Sequence, residues 1–200
     1  MDIEFSSPQD IKLYQGTCGD IAISGTGTIV VAVGNDASSG IGGGQSVTSG
    51  DIFISGGSVF AYGGNGGAGI GTGGDGTCGV IMITGGFIRA MGGKESAGIG
   101  SGMGYTTGCY DSITITSGIT KVEAQNGKKD TYNAADASIG RGYVPNANTS
   151  VFGPVTIDGV VITDDEGKAN REIVGKDTDN LKWTVTTGDN GIETWVLTKK

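Results

Sequence analysis

The phrase Ala68-Gly69-Ile70-Gly71-Thr72-Gly73 recurs 29 residues later as Ala97-Gly98-Ile99-Gly100-Ser101-Gly102. Looser copies stand at Ser39-Gly40-Ile41-Gly42-Gly43-Gly44 and Ala137-Ser138-Ile139-Gly140-Arg141-Gly142. Each copy follows a strand-like segment of one design: Ile21-Ala22-Ile23, Ile52-Phe53-Ile54, Ile81-Met82-Ile83 and Ile113-Thr114-Ile115. Short β segments in a repeat of about 30 residues, separated by glycine turns, specify a solenoid, in which each unit buries its apolar face on its neighbours. Most of the 41 glycines fall in register with apolar residues, which a flexible linker does not show.

Aligned on the second isoleucine of the first strand, the units start at Ile23, Ile54, Ile83, Ile115 and Ile157, spaced by 31, 29, 32 and 42 residues. Each unit divides into three segments. The first is Ile-x-Ile; the second is Val30-Val31-Ala32-Val33, Val59-Phe60-Ala61-Tyr62, Ile88-Arg89-Ala90-Met91 and Val122-Glu123-Ala124-Gln125; the third is the Gly-Ile-Gly segment. Three segments and three corners fit one turn of a three-sided parallel coil, stacked at the interstrand spacing of about 4.8 Å. The expected fold is all-β: a right-handed parallel β-helix with three faces and about four to five coils, ended by a C-terminal hairpin cap. The hand follows from the bias of parallel β crossovers.

Alternation within the strands assigns two inward ladders, Ile21/Ile23 with its equivalents and Val30/Ala32 with theirs, and Ile41, Ile70, Ile99 and Ile139 supply a third. After Gln125 the pattern loosens. Coil four carries an extra loop from Asn126 to Asp136, and the fifth unit, around Val155 to Ile162, lacks a Gly-Ile-Gly segment, so the coil stops there. Leu181 to Thr187, a turn at Asp189-Asn190-Gly191 and Ile192 to Thr198 read as a hairpin carrying both tryptophans, Trp183 and Trp195. The organisation expected is an N-terminal cap over 1–17 that includes Ile11-Lys12-Leu13-Tyr14, β-helix repeats over 18–163, and a cap hairpin over 164–200.

Composition narrows the chemistry. There is no histidine, which removes Ser-His-Asp and Cys-His catalysis and most zinc sites. A net charge of −8 disfavours nucleic acid and anionic membranes. No stretch is long and apolar enough to span a bilayer. Met1-Asp2-Ile3-Glu4-Phe5 fits a start behind a removed signal as well as the native start of an intracellular or viral protein. The Gly69-x-Gly71-x-x-Gly74 string is not followed by a helix and so is no dinucleotide fingerprint, and Gly73-Gly74-Asp75-Gly76 lacks the nine-residue period of calcium repeats. Asn148-Thr149-Ser150 matches a glycosylation sequon and is given no weight.

Several residue sets are candidates for function. Asp20 and Asp51 share a column, with Asp111 one place off it, so they read as solvated turn residues or as a Ca²⁺ site; no other cofactor is expected. Cys18, Cys78 and Cys109 stand five, five and six residues ahead of the aligned isoleucine. Cys78 and Cys109 would then lie about 5 Å apart, within disulfide range, though stacked thiols fit equally well; Cys18 is expected to be unpaired. The outward glycines Gly69, Gly71, Gly98 and Gly100 either satisfy coil geometry or bare the backbone to a partner. Outward Phe53, Phe60, Tyr62, Met82 and Met91 form the leading binding candidate, since apolar side chains facing water over a broad area mark interaction surfaces and aromatic rings stack on sugars. Lys128, Lys129 and Tyr132 in the extra loop form a secondary one.

The pattern Ile-x-Ile-Ser-Gly-Gly-x-Val-x-Ala-x-Gly-Gly, followed by Gly-Ala-Gly-Ile-Gly, resembles glycine-rich repeats of large secreted bacterial surface proteins. It is similar to the parallel β-helix class that includes pectin-lyase-like proteins and many adhesins. The resemblance covers residue 18 to about residue 163. It implies a non-catalytic extracellular or cell-surface module, part of a larger secreted protein, that binds a glycan or a protein surface. The alternatives are a polysaccharide lyase or hydrolase with a groove near Arg89, Lys94 and Glu95, and a receptor-binding module on a phage particle. Enzymes of that class use Ca²⁺-binding acids beside a basic residue, a set this chain does not match.

Overall fold

The computed structural model describes residues 9–11, 19–104, 109–128, 137–145 and 151–200. In chain order the strands are β1 (Gln9–Ile11), β2 (Ile21–Ile23), β3 (Ile29–Val33), β4 (Ile41–Gly42), β5 (Thr48–Ser49), β6 (Ile52–Ile54), β7 (Ser58–Tyr62), β8 (Ile70–Gly71) and β9 (Thr77–Ile83). They continue as β10 (Gly86–Met91), β11 (Ile99–Gly100), β12 (Cys109–Ile115), β13 (Ile119–Gln125), β14 (Ile139–Gly140), β15 (Val155–Ile157), β16 (Val160–Val161), β17 (Leu181–Thr187) and β18 (Glu193–Lys199). Among the described residues a 3-10 turn at Asp189–Gly191 is the sole helical element.

The strands stack in three sheets as a β-solenoid. Sheet 1 has the order β16-β15-β12-β9-β6-β2, sheet 2 the order β1-β3-β7-β10-β13-β18-β17, and sheet 3 the order β14-β11-β8-β4; β5 pairs with β9 beside sheet 1. Pairing is parallel from coil to coil, as the repeat predicts. In sheet 1 Ile21, Ile52, Ile81, Ile113 and Val155 form one register column, and Ile23, Ile54, Ile83, Ile115 and Ile157 the next. In sheet 2 the inward columns are Val30-Val59-Ile88-Val122 and Ala32-Ala61-Ala90-Ala124; in sheet 3 the column is Ile41-Ile70-Ile99-Ile139. All of these side chains are buried, so the three predicted ladders are the core. β-Branched side chains stacked one per rung suit a pleated interior.

Sheet 3 is narrower than a flat third face. At each of the four strands of sheet 3 the chain pinches on itself, with the N–H of Ser39, Ala68, Ala97 and Ala137 donating to the carbonyl of Gly43, Thr72, Ser101 and Arg141. Each pinch drives one isoleucine inward at its tip. The glycine after that isoleucine takes φ near +130° at all four positions: Gly42, Gly71, Gly100 and Gly140. A Cβ on Gly71 would stand 1.9 Å from the Gly100 carbonyl oxygen, and one on Gly42 the same distance from that of Gly71. Gly69, Gly71, Gly98 and Gly100 are themselves buried, which corrects the expectation that they face outward. Close stacking of the coils, not access for a partner, requires glycine there.

Both C-terminal ends of the long sheets turn antiparallel. After β15, the two-residue turn Asp158-Gly159, with φ of +48° and +81°, sends β16 back along β15. Positive φ at both central residues is the mark of the tight hairpin turn. Asp158 then accepts hydrogen bonds from the Thr178 hydroxyl at 2.6 Å and the Asn180 backbone N–H at 3.0 Å, tying this turn to the approach to β17. In sheet 2 the hairpin β17–β18 docks antiparallel on β13, with Ala124 opposite Trp195 and Val122 opposite Leu197. The alanine column thus ends in a fully buried Trp195, which packs edge-on against Trp183 at 5.4 Å. At the other end β1 lies parallel on β3. Lys12, Leu13 and Tyr14 of the expected front cap lie outside the described residues.

The pairing of Cys78 and Cys109 is settled by register. Cys109 stands opposite Thr77, and Cys78 opposite Tyr110, so the two cysteines are one residue out of step. Successive residues of a strand point to opposite faces; Cys78 is buried as a free thiol and no disulfide joins it to Cys109. Cys18 lies outside the described residues.

Candidate functional site

The outward face of sheet 2 is a regular grid with three side chains per strand. β3 contributes Ile29, Val31 and Val33; β7 contributes Ser58, Phe60 and Tyr62; β10 contributes Phe87, Arg89 and Met91; β13 contributes Lys121, Glu123 and Gln125. The register sets Phe60 between Val31 and Arg89, and Tyr62 between Val33 and Met91. Val33 is 57% and Ile29 39% exposed, while Phe60, Tyr62, Phe87 and Met91 are half-buried. The face is therefore mainly apolar across β3, β7 and β10, with Ser58 and Arg89 as its polar positions.

Polar groups border this apolar zone along β13. The Phe60 and Phe87 rings meet at 5.8 Å, and Lys121 Nζ lies 5.7 Å from the Phe87 ring centre. Glu123 takes Lys121 Nζ at 2.8 Å and Arg89 Nε at 3.3 Å. Partly exposed ion pairs of this kind contribute little to stability, but they hold three charged groups in fixed places beside the aromatic pair. Further along, the Gln125 amide donates to the Thr194 hydroxyl at 2.9 Å, continuing the face onto the C-terminal hairpin. The surface offers rings and methyls at one end and fixed donors and acceptors at the other.

Phe53 and Met82 belong elsewhere. They are register neighbours on the outward side of sheet 1, with Phe53 38% exposed. Ile54 and Val59, on either side of the Ser55–Gly57 corner, both point into the core. The outward sides of the two sheets consequently diverge, and the five sequence candidates sort into a pair, Phe53 and Met82, and a trio, Phe60, Tyr62 and Met91. The trio has gained Phe87, Ile29, Val31 and Val33. Phe87 escaped sequence reasoning because the second segment reads as starting at Ile88, whereas β10 begins at Gly86 and adds a third outward column.

The remaining candidates have other surroundings. Lys128 is exposed, and its carbonyl receives the Glu95 N–H at 3.2 Å. Lys129 and Tyr132 lie outside the described residues, as does Asn148-Thr149-Ser150. Asp20 Oδ1 accepts the Asp51 N–H at 2.9 Å, and Asp51 Oδ1 accepts the Val80 N–H at 2.7 Å. Each carboxylate reaches across to the coil that follows, over Gly50 and Gly79, where a Cβ would come within 2.2 Å and 2.0 Å of it. Among the described residues no group of three or more acidic, Cys or His side chains is arranged to hold a metal ion. Arg89 is engaged by Glu123, and Glu95 is buried in the corner after β10. Burial, reinforced by the charges of Cys109, Asp111 and Asp51, pushes the Cys78 thiol up to about 12. Hydrogen bonds from Thr178, then from Asn180 and Ser117, hold the Asp158 carboxyl below its usual range although burial opposes them. No protein-family model, curated protein or solved structure matches this chain.

Proposed function

We propose that this chain is a non-catalytic β-solenoid module that binds a glycan or a protein surface on the outward face of sheet 2. The observation that carries this reading is the apolar zone around Phe60, Tyr62, Phe87 and Met91, bordered by the Lys121–Glu123–Arg89 set. Aromatic side chains give large contact area at small conformational cost, and fixed polar neighbours supply direction. The repeat, similar to those of pectin-lyase-like β-helix surface proteins, supports placing the module outside the cell, as part of a larger secreted protein. A lyase or hydrolase is the weaker alternative: its basic residue would be Arg89, whose Nε lies 3.3 Å from Glu123, and its acid Glu95, which is buried.

The test is retention against turnover. The purified chain is passed over an array of neutral and acidic glycans and incubated with polygalacturonate and related polymers, while its self-association is followed by sedimentation. Retention on a glycan without new reducing ends or unsaturated products supports the reading. Turnover contradicts it, and so does a chain that neither adheres to any glycan nor binds a protein surface.

A further inference from the structure

The chain contains three Asn-Gly pairs, Asn65-Gly66, Asn126-Gly127 and Asn190-Gly191, and the fold treats the first two in opposite ways. An asparagine followed by glycine is the pair most open to cyclisation, because the attacking amide carries no side chain that hinders it. Three conditions govern that reaction in a folded chain: an accessible carboxamide, a carboxamide not held by hydrogen bonds, and a following N–H not committed to the backbone ladder.

Asn65 meets all three. It is exposed at the tip of the corner between β7 and β8, in the turn closed by Gly67 N–H to the Gly64 carbonyl at 3.0 Å. Its carboxamide makes no hydrogen bond with the described residues, and Gly66 uses its carbonyl, which receives the Met103 N–H at 3.0 Å, but not its own N–H. Asn126 fails all three. It is 3% exposed; its Oδ1 accepts the Glu193 N–H at 2.6 Å and its Nδ2 donates to the Gly191 carbonyl at 3.3 Å. The Gly127 N–H is committed to the Ser96 carbonyl at 2.8 Å.

We propose that Asn65 is a spontaneous modification site, converting to aspartate and isoaspartate, and that the fold protects Asn126. The Gly66 nitrogen attacks Cγ of Asn65, a C–N bond forms, the Gly66 proton passes to the departing amide nitrogen, and ammonia leaves. Water then opens the cyclic imide at either carbonyl, giving aspartate or the isoaspartyl linkage. The balance is one water consumed and one ammonia released, with no change of oxidation state. The isoaspartyl product inserts a backbone carbon into a corner locked above and below, through Gly64 N–H to Ser38 at 2.9 Å and Gly93 N–H to Gly67 at 2.8 Å. The new carboxylate adds charge at the rung end that follows Tyr62.

The experiment ages the intact chain in mildly alkaline buffer, natively and in urea, and maps both peptides by mass spectrometry and isoaspartyl methyltransferase labelling. Natively, the Asn65 peptide should convert at least about tenfold faster than the Asn126 peptide, because Asn126 reacts only on opening of its region. In urea the two rates should converge. Equal native rates overturn the proposal, as does an Asn65 peptide that converts in urea but stays intact in the folded chain.

Discussion

Replacing Gly71 by alanine tests the coil stacking at its tightest point. Gly71 holds φ +131°, and an added Cβ would lie 1.9 Å from the Gly100 carbonyl oxygen and 2.9 Å from its carbon. A non-glycine residue in such a conformation costs about 1–3 kcal/mol. Forcing the methyl against a backbone that belongs to the neighbouring coil adds about 1–3 kcal/mol more, since packed interiors yield little. The sum is about 4 kcal/mol, a large part of the stability of a domain of this size. At a urea dependence of about 2 kcal/mol per molar, the unfolding midpoint should fall by about 2 M. Trp183 and Trp195, buried in the C-terminal hairpin, report the transition by fluorescence. Two other glycines calibrate the scale. Gly27, at φ +82° with nothing within 4 Å of an added Cβ, should cost about 1 kcal/mol as alanine. Gly19, with open space and no positive φ, should be neutral or gain about 0.5 kcal/mol. If Gly71→Ala loses no more than Gly27→Ala, the reason given for the glycine ladder is wrong.

Further outcomes follow from the two titrating groups Cys78 and Asp158. Cys78, raised from an ordinary 9.0 to about 12, should stay unalkylated in the native chain at pH values where a free thiol reacts, as peptide mapping will read. Its sign on stability is fixed by linkage: the unfolded thiol ionises above 9.0 while the folded one keeps its proton, so stability is intact below 9.0 and falls as pH rises toward about 12. Cys78→Ala should flatten that decline. Asp158, held below its ordinary 3.8, contributes stability that is present above that value and lost as pH falls through its lower folded value. Asp158→Asn should therefore be less stable than the native chain at neutral pH, and the two acid-unfolding curves should converge at the acid end.

Much of the fold was readable because one constraint is repeated in every coil. The Ile-x-Ile, Val-x-Ala and Gly-Ile-Gly positions each had to point inward, and a slip of one residue would have exposed a whole ladder. The five-against-six offset of Cys78 and Cys109 already held the register shift that keeps them apart, but it weighs nothing until Thr77 and Cys109 are paired. The Asp158-Gly159 turn was likewise written in the chain, and grouping Val155 to Ile162 into one fifth unit hid it. The pinch at Ser39–Gly43 and its equivalents was not readable, since it depends on a backbone bond within each coil that leaves no side-chain signature. The proposed binding face was half-legible: alternation gave Phe60, Tyr62 and Met91, yet the divergence of sheets 1 and 2 separated Phe53 and Met82 from them. Lys121 and Glu123 joined the site through cross-strand neighbours, not through any motif.

The central claim, that sheet 2 carries the binding, is tested most directly by comparing two double variants on one retained ligand. Phe60→Ser with Tyr62→Ser alters the sheet 2 face, and Phe53→Ser with Met82→Ser alters the sheet 1 face; none of the four side chains is a core residue. Affinity is measured by titration against the immobilised ligand, with the urea midpoint of each variant taken alongside. Loss of two outward rings should weaken binding at least about tenfold for the first variant, while the second stays within about twofold, both remaining folded. A first variant that binds as the native chain does, or a second that accounts for the loss, would contradict the assignment of sheet 2 as the binding face.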